Sequence, residues 1–300
     1  MTQPLVVTVI LNTNRRADTL ACLESLRSGT YTNHRVLVLD NASTDGSVEA
    51  ISEHFPEVQI IPLTANLGYA GNNNVGIMAA LELGADWVFV LNEDTILAPD
   101  CIERLVEAGT QDQRLGIVGP MVYHHDEPTT IQSAGGRIGP YWNAWHLAQN
   151  EPDQGQYAAP HQVDWISGCA ILVRRQVIEQ VGALDERFFY YWEETEWCLR
   201  TTRHGWRIMH IPAAQLWHKG VQRDYQPKPM VSYYNTRNHF LMMQKHHAPL
   251  TAWIYTWGQL LRTLTSYAIR PKWRHKAEHR DAMWRGIVDF LQQRHGKASF

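Results

Sequence analysis

Apolar and polar positions alternate in blocks along the first 123 residues. Five short runs are almost wholly apolar and read as strands: LVVTVIL (5–11), RVLVLD (35–40), VQIIPL (58–63), WVFVLN (87–92) and LGIVGPMVY (115–123). Between them, RADTLACLESLRS, GSVEAISEHF, GNNNVGIMAALELG and APDCIERLVEAG place apolar residues three and four apart, the spacing of one helix face. Strand, helix, strand, helix implies a mostly parallel sheet covered on both faces, because parallel strands need crossover helices. The pattern predicts an α/β fold. Residues 124–162 are rich in Gly, Pro and polar side chains and keep no period, so they read as an irregular excursion, a hairpin or a lid. Order returns with VDWISGCAILVRR (163–175), QVIEQVG and the long segment ERFFYYWEETEWCLRTTRHGWRIMHIPAAQLWHKG.

From residue 226 onward the chain changes character. MVSYYNTRNHFLMMQKHH, PLTAWIYTWGQLLRTLTSYAI and RHKAEHRDAMWRGIVDFLQQRH have helical period, and Pro249 and Pro271 each end the helix before them. On the middle helix Trp253, Trp257, Leu260, Leu261, Leu264 and Tyr267 share a face. Arg262 interrupts the segment, so a transmembrane span is not predicted. Two readings of that face remain: packing on the body of the protein, and docking on a membrane surface with help from Arg270, Lys272, Arg274 and Lys276.

Charge bears on that choice. Residues 251–300 hold nine Lys and Arg against three Asp and Glu, which leaves 18 against 27 in the first 250 residues. A basic tail on an acidic body is a sign of contact with an anionic surface, and equally describes a solvated basic helix. A chain of 300 residues with 44% hydrophobic content suits one large domain or a domain with an appendage. Cys22, Cys101, Cys169 and Cys198 lie far apart with no CxxC pair, which indicates neither a zinc site nor a disulfide framework and makes a reducing cytosol the default. The apolar run Leu5 to Leu11 is too short for a span or a signal core and reads as a first strand.

In open α/β sheets, ligands bind beyond the carboxyl ends of the strands. Here the first four strands are followed by NTNRR, DNASTDGS, TANLGYAGNNN and NEDT, a polar segment every time. A dinucleotide-binding dehydrogenase also has an acid where Asp40 stands, but LNTNRRADTL contains no glycine turn to admit a pyrophosphate, and no GKS or GKT marks a P-loop. A diphosphate held here needs another partner. Mg2+ or Mn2+ is the direct substitute, because it prefers hard oxygen ligands and completes its shell with phosphate oxygens and water. Asp94 is the candidate ligand, with Asn92 or Glu93 as second or water-mediated partners. A second acidic cluster, YYWEETEWCLR, sets Glu193, Glu194 and Glu196 within one helical turn among Trp192, Trp197 and two tyrosines. Carboxylates among aromatics tend toward raised pKa values, which suits a general base; acids at a helix start also serve as first-turn charges.

Taken in order, VTVILNTNRR, VLVLDNASTDGS, NLGYAGNNNVG, VLNEDT, SGCAILVRR, GALDERFFYYWEETEWCLR and AQLWHKG resemble glycosyltransferase family 2, the inverting nucleotide-sugar transferases, and within it a bacterial rhamnosyltransferase-like branch. The likeness runs from about Val6 to Lys219 and continues more weakly through YYNTRNHF. It implies a GT-A fold, a Rossmann-like mixed sheet, with a C-terminal helical extension. The implied catalytic domain covers 1–225, with its nucleotide-binding half at about 1–123 and its acceptor half at about 163–225; the extension covers 226–300. By position, Asp40 would bind the base edge, with Asn14, Asn66, Gly68 and Asn74 framing base and ribose. Asp94 matches the metal-binding acid of a DxD motif, and His218 matches a histidine that joins it near the diphosphate. Glu194 falls at the catalytic base, beside Trp192 and Glu193, while Trp165 and Gly168 match the segment lining the donor and acceptor cleft. The chain departs from the pattern at Asn92, where the full motif has its first aspartate, at Thr13, where many members stack a tyrosine, and at Glu194, normally an aspartate.

The resemblance therefore implies a metal-dependent inverting transferase of bacterial cell-envelope polysaccharide synthesis. It would move L-rhamnose from dTDP-rhamnose to a hydroxyl of a polysaccharide or lipid-linked glycan, with a UDP-hexose as the rival donor. The alternative from another class is a non-catalytic module that binds sugar nucleotides or glycans. The expected cofactor is Mg2+ or Mn2+, and no nucleic-acid partner is expected. The expected location is the cytoplasm, with or without peripheral contact of the C-terminal helices on the inner face of the cell membrane.

Overall fold

The computed structural model describes residues 3–220 and 226–298. Its first half alternates β1 (Val6–Asn12), α1 (Arg16–Arg27), β2 (His34–Asp40), α2 (Ser47–His54), β3 (Gln59–Pro62), α3 (Gly68–Glu82) and β4 (Trp87–Asn92), as the hydrophobic pattern predicts. A three-residue strand that the pattern does not show, β5 (Thr95–Leu97), precedes α4 (Cys101–Gln111) and β6 (Leu115–His124). The excursion then folds into short strands: β7 (Thr130–Ser133), the hairpin β8 (Gly136–Ile138) and β9 (Ala144–His146), β10 (Glu151–Pro152) and β11 (His161–Gln162). The second half continues through β12 (Ala170–Arg174), α5 (Arg175–Val181), α6 (Glu193–Arg203) and β13 (Arg207–His218). Three helices close the chain, α7 (Pro229–Lys245), α8 (Leu250–Ile269) and α9 (Ala277–Leu291), with a short 3-10 turn at Pro271–Lys276 before the last. The expected boundary at residue 225 falls on residues outside those described.

β3, β2, β1 and β4 run parallel, side by side. β12 enters antiparallel between β4 and β6, and β13 runs parallel to β6 while carrying β5 and β11 antiparallel on it. Alternate strand residues point to opposite faces, so each strand feeds two cores. Val6, Ile10, Val38 and Phe89 pack with α1, α2 and α4 on one face; Val7, Val9, Leu37 and Val88 pack with α3, α5 and α6 on the other. This two-sided burial is why the strands read as continuous apolar runs.

α7 packs on α9, with Phe240 stacked between Trp253 at 5.8 Å and Phe290 at 5.1 Å. The predicted apolar face of α8 divides. Leu260 is buried and Trp253 and Leu264 pack into the bundle, whereas Leu261 is 66% exposed and Trp257 is 37% exposed. Among the described residues no helix is long and apolar enough to cross a membrane.

Candidate active site

Strand register assembles the first half of the site. Asn12 pairs with Asp40 across β1 and β2, and Leu11 pairs with Asn92 across β1 and β4, so three polar strand ends share one edge. The Asn12 amide donates to Asp40 Oδ1 (3.0 Å), Ser43 Oγ (3.0 Å) and Ser47 Oγ (3.1 Å). The Ser43 backbone N–H donates to the other Asp40 oxygen at 3.1 Å. Asn14 accepts from the Thr44 backbone N–H at 2.8 Å and donates its own N–H to Ser43 Oγ at 3.0 Å. Asp40 and Asn14 thus fasten the 43–47 loop over the ends of β1 and β2 as a polar cradle. Asn66 accepts from the Gly68 N–H at 2.9 Å. Gly68 has φ +76° and lies so close to Phe189 that a Cβ would overlap that residue's carbonyl oxygen. Asn74, expected with this group, is placed elsewhere: its amide exchanges hydrogen bonds with the Leu184 backbone at 2.9 and 3.0 Å and donates to Glu186 at 3.0 Å, tying α3 to the segment before α6.

A second register explains the next pair. β5 lies antiparallel to β13 with Thr95 opposite His218, which carries the preceding Asp94 to the histidine ring. Asp94 Oδ1 is 3.1 Å from His218 Nε2, and Asp94 Oδ2 accepts from the Gly220 N–H at 3.1 Å. The other ring nitrogen of His218 faces Gln132 Oε1 at 2.6 Å, and the Asn92 amide lies 3.4 Å from Nε2. Burial alone would raise the Asp94 pKa, but the hydrogen bond and charge of His218 hold it below the ordinary value. Burial would lower His218, yet Cys169 and Asp94 outweigh it and take the imidazole to about 10. Glu93 is pushed up to about 7 by burial and by Asp94. Asp94 with the neighbouring Asn92 amide suits a small divalent cation that takes its remaining ligands from phosphate and water, and His218, oriented through its second nitrogen, could join them only by giving up the Nε2 proton it shares with Asp94. Among the described residues no group of three acidic, histidine or cysteine side chains forms a self-sufficient metal cage. Two cations stand beside the pair: Arg15 approaches Glu93 at 4.0 Å, and Lys219 binds Asp18 at 2.6 Å.

The acidic cluster sits on strained backbone. Phe189, Tyr191 and Trp192 have φ of +64°, +68° and +76°, immediately before α6. Such conformations cost roughly 1–3 kcal/mol each for residues with side chains and persist only where surroundings over-determine them. Two buried side chains of α7 do so here. Asn238 donates to the carbonyls of Phe188 (2.8 Å), Tyr190 (2.9 Å) and Tyr191 (2.8 Å), and Arg237 donates to Phe188 (2.9 Å) and Arg187 (3.2 Å).

The loop delivers three glutamates into three environments. Glu193 is 4% exposed and Glu194 half-buried, and each keeps one carboxylate oxygen without a partner among the described residues. Burial raises both, with the Glu194 charge adding to the effect on Glu193; Glu193 sits well above the usual carboxylate range and Glu194 at about 6. Gly168 lies against Glu194, where a Cβ would stand 3.5 Å from its Cγ, and the Gly168 carbonyl accepts the Tyr69 hydroxyl. Glu196 is fully buried but meets Arg200 at 3.1 Å, Lys245 at 2.8 Å and His246 at 3.0 Å. Burial would raise it; the His246 hydrogen bond and the charges of Arg200 and Lys245 hold it at about 2. Trp192 donates its indole N–H to Asn235 at 3.0 Å and stacks on His239 at 4.7 Å. Trp165, expected to line the cleft, is 5% exposed because the β8–β9 hairpin closes over it: Gly136 donates to its carbonyl at 2.9 Å, and its indole donates to the Arg137 carbonyl at 3.3 Å.

The profile of the Glycosyl transferase family 2 matches residues 7–182. The chain belongs to glycosyl transferase family 2. Its relatives include the N-acetylglucosaminyl-diphospho-decaprenol L-rhamnosyltransferase of Mycobacterium tuberculosis, 31% identical over 247 residues that cover 75% of this chain and 79% of that protein. The dTDP-rhamnosyl transferase RfbF of Shigella flexneri is 26% identical over 73% of each chain. Among solved structures, mannosyltransferase PcManGT from Pyrobaculum calidifontis, in complex with GDP-Man and Mn2+, superposes with a TM-score of 0.62 at 16% identity over 98% of this chain and 89% of that one. TarS 1-349 of S. aureus gives 0.61 at 13% identity over 96% and 80%. The family 2 chain is thus a hexosyltransferase with a GT-A fold, a helical C-terminal part and rhamnosyltransferase relatives.

For this transferase, sequence reasoning passed over Asn12, Arg15, Lys219 and the α7 clamp. The first three were within its reach, because NTNRR and HKG are polar strand ends of the kind already singled out. Arg237 and Asn238 lie within YYNTRNHF, where the resemblance continues more weakly, but the helical period gives no sign that their side chains reach back to the loop before α6. A cavity of about 650 Å³ between α1, β2 and β3 lies at the amino end of β2 beside Tyr31 and His34, the opposite end of that strand from Asp40.

Proposed function

We propose that this transferase moves L-rhamnose from dTDP-rhamnose to a hydroxyl of a lipid-linked glycan, with inversion, using Glu194 as general base. The observation that carries this is the unpartnered oxygen of Glu194, on a carboxylate raised to about 6 beside a Glu193 raised further still. Near neutral pH such a pair holds Glu193 protonated and Glu194 ionised, so a base is present without two adjacent charges. The acceptor hydroxyl gives its proton to Glu194 as its oxygen bonds to the anomeric carbon. The bond from that carbon to the diphosphate oxygen breaks on the opposite side, and the electron pair leaves with dTDP. Asp94 and His218, with Asn92 beside them, would hold Mg2+ or Mn2+, which when bound supplies positive charge to the leaving diphosphate. Arg15 and Lys219 add fixed charge there, and the Asn14 and Asp40 cradle takes the nucleoside. The donor is inferred from the rhamnosyltransferase relatives, and the lipid-linked acceptor from the decaprenol in the name of the mycobacterial one.

The reading extends to the membrane, with the division near residue 225 separating the body from helices that both support the acid loop, through α7, and offer a docking face, on α8. Leu250, Ile254, Trp257 and Leu261 recur at one helical stripe of α8 and are 37–73% exposed, with the basic residues Arg262, Arg270, Lys272 and Arg274 nearby in sequence. Such a face suits peripheral attachment where a polyprenyl acceptor resides. Flotation with anionic vesicles at low salt tests this part, and protein remaining at the bottom of the gradient removes it.

A thermal-shift series with dTDP, UDP and GDP, each with and without Mn2+, tests the donor site. A ligand at 100 times its Kd stabilises the folded state by about 2.7 kcal/mol. The expected result is a Mn2+-dependent shift with dTDP that Asp94→Asn abolishes. A preference for UDP would replace the donor, and no shift with any of the three would remove the nucleotide site.

A further inference from the structure

Beside the turn before the acid pair, a groove of about 400 Å³ opens between the β8–β9 hairpin and helices α7 and α8. That volume lies within the range of about 300–1,000 Å³ typical of small-molecule sites. Trp192, the residue before Glu193, forms part of its wall, so the groove adjoins the turn that presents Glu194. At the far side Tyr141 from the hairpin tip stacks on Tyr255 of α8 at 4.2 Å. Three amides, Asn143, Asn235 and Gln259, line the space, and Thr236, Thr256 and Thr263 add hydroxyls. Asn235 already accepts from the Trp192 indole, which leaves its NH2 group as a donor. No Asp, Glu, Lys or Arg lines the groove, and burial lowers His239, its one histidine, to about 4, so that it is neutral in use.

These features select among ligands. A diphosphate is excluded because nothing charged would meet it. The hydroxyls of Thr236, Thr256 and Thr263 already donate to the Ser232 carbonyl, the Met243 sulfur and the Gln259 carbonyl, so the amides decide: a prenyl chain would cover them without replacing their hydrogen bonds to water, an unfavourable exchange. A sugar ring satisfies both kinds of wall, with apolar C–H faces for the aromatic rings and a rim of hydroxyls for amides and threonines. From this we infer that the groove is an acceptor subsite that binds an uncharged sugar ring of the glycan. The inference rests on the reading of Glu194 as the base only for its position relative to the chemistry; the recognition itself follows from the lining. It also assigns a function to the C-terminal helices. Tyr255, Gln259 and Thr263 follow one another at four-residue spacing along one stripe of α8, apart from the exposed Leu250, Ile254, Trp257 and Leu261.

The test uses saturation-transfer NMR on the full chain with N,N′-diacetylchitobiose as the saccharide probe and farnesol as the prenyl probe. Tyr255→Ala and Gln259→Ala change partly exposed α8 positions, and circular dichroism with the dTDP and Mn2+ thermal shift checks that the fold and donor site persist. The expected result is transfer to the disaccharide with the wild-type protein, reduced at least fivefold in both variants, and no displacement by farnesol. Absence of transfer to the disaccharide, equal transfer in the variants, or displacement by farnesol would overturn the subsite. Loss of the dTDP shift in the wild type would instead count against the donor reading and leave the saccharide result to stand on its own.

Discussion

The polar cradle at the ends of β1 and β2 and the acid pair before α6 are positioned in opposite ways. In the cradle, Asn12, Asn14 and Asp40 are held by Ser43, Thr44 and Ser47, partners that belong to the adjoining strand-end loop. At the acid pair, the backbone before Glu193 and Glu194 is strained and is held by Arg237 and Asn238, 47 to 50 residues further along the chain. The first arrangement forms as soon as the parallel strands pair. The second depends on α7, so under the proposed reading of Glu194 the C-terminal helices shape the acid pair as well as extending from the body.

The most severe way to break the acid side is Glu194→Gln. General-base catalysis contributes typically 10²–10⁴-fold, and we expect kcat to fall by about 10³-fold while the dTDP thermal shift is retained. A second readout has the opposite sign. Glu194 is raised in the folded state from 4.5 to about 6, so its ionisation favours the unfolded chain and stability declines as pH rises through that window. The glutamine variant escapes this loss and should melt higher than wild type at pH 8. A variant that loses activity and also melts lower there would point to misfolding in place of a missing base.

Asn238→Ala attacks the same side from a distance. It removes the Asn238 amide from the carbonyls of Tyr190 and Tyr191 and leaves Phe188 to Arg237 alone, and a displacement of about 1 Å at a reacting group can cost ~10²-fold. Expected are a kcat lower by about 10²-fold, an unchanged donor KM, and a shifted acidic limb of the pH profile as Glu194 changes surroundings. A purely structural residue would lower the amount of folded protein without moving that limb. On the cradle side, Asp40→Ala should raise the donor KM by about 10-fold and leave kcat and the pH profile in place, because a nucleoside contact contributes equally to ground and transition states. If Asp40→Ala instead moved the pH limb, the two regions would not be independent.

The same contrast governs how much could be read from the sequence. Apolar strands and periodic helices were legible because each pattern is local, and so were the polar strand ends, which share an edge by register alone. β5 and β13 were not: three residues give no period, and Pro212 interrupts RIMHIPAAQLWH. Trp165 and Asn74 were expected at the site because their segments resemble the family there, yet one is covered by the hairpin and the other clamps Leu184, outcomes fixed by what folds over them. The three glutamates of WEETE look alike as text. Only their partners separate Glu196, paired with Arg200, Lys245 and His246, from the two that each keep a buried oxygen without a partner among the described residues.

The smallest expected effect is the most discriminating between those two. Glu193 is more buried than Glu194, and burial together with the Glu194 charge favours its protonated form, for which the amide of Glu193→Gln is a neutral mimic of similar shape. If Glu194 is the base, kcat at pH 7 should change by no more than about threefold, far less than the factor a lost general base costs. The acidic limb of kcat/KM should remain near pH 6, with activity falling below it as Glu194 takes up its proton. If Glu193 is the base, the same variant must lose activity as completely as Glu194→Gln was expected to, and the limb must disappear with it. A pH-rate profile on this one variant therefore decides which carboxylate the α7 clamp positions for the acceptor.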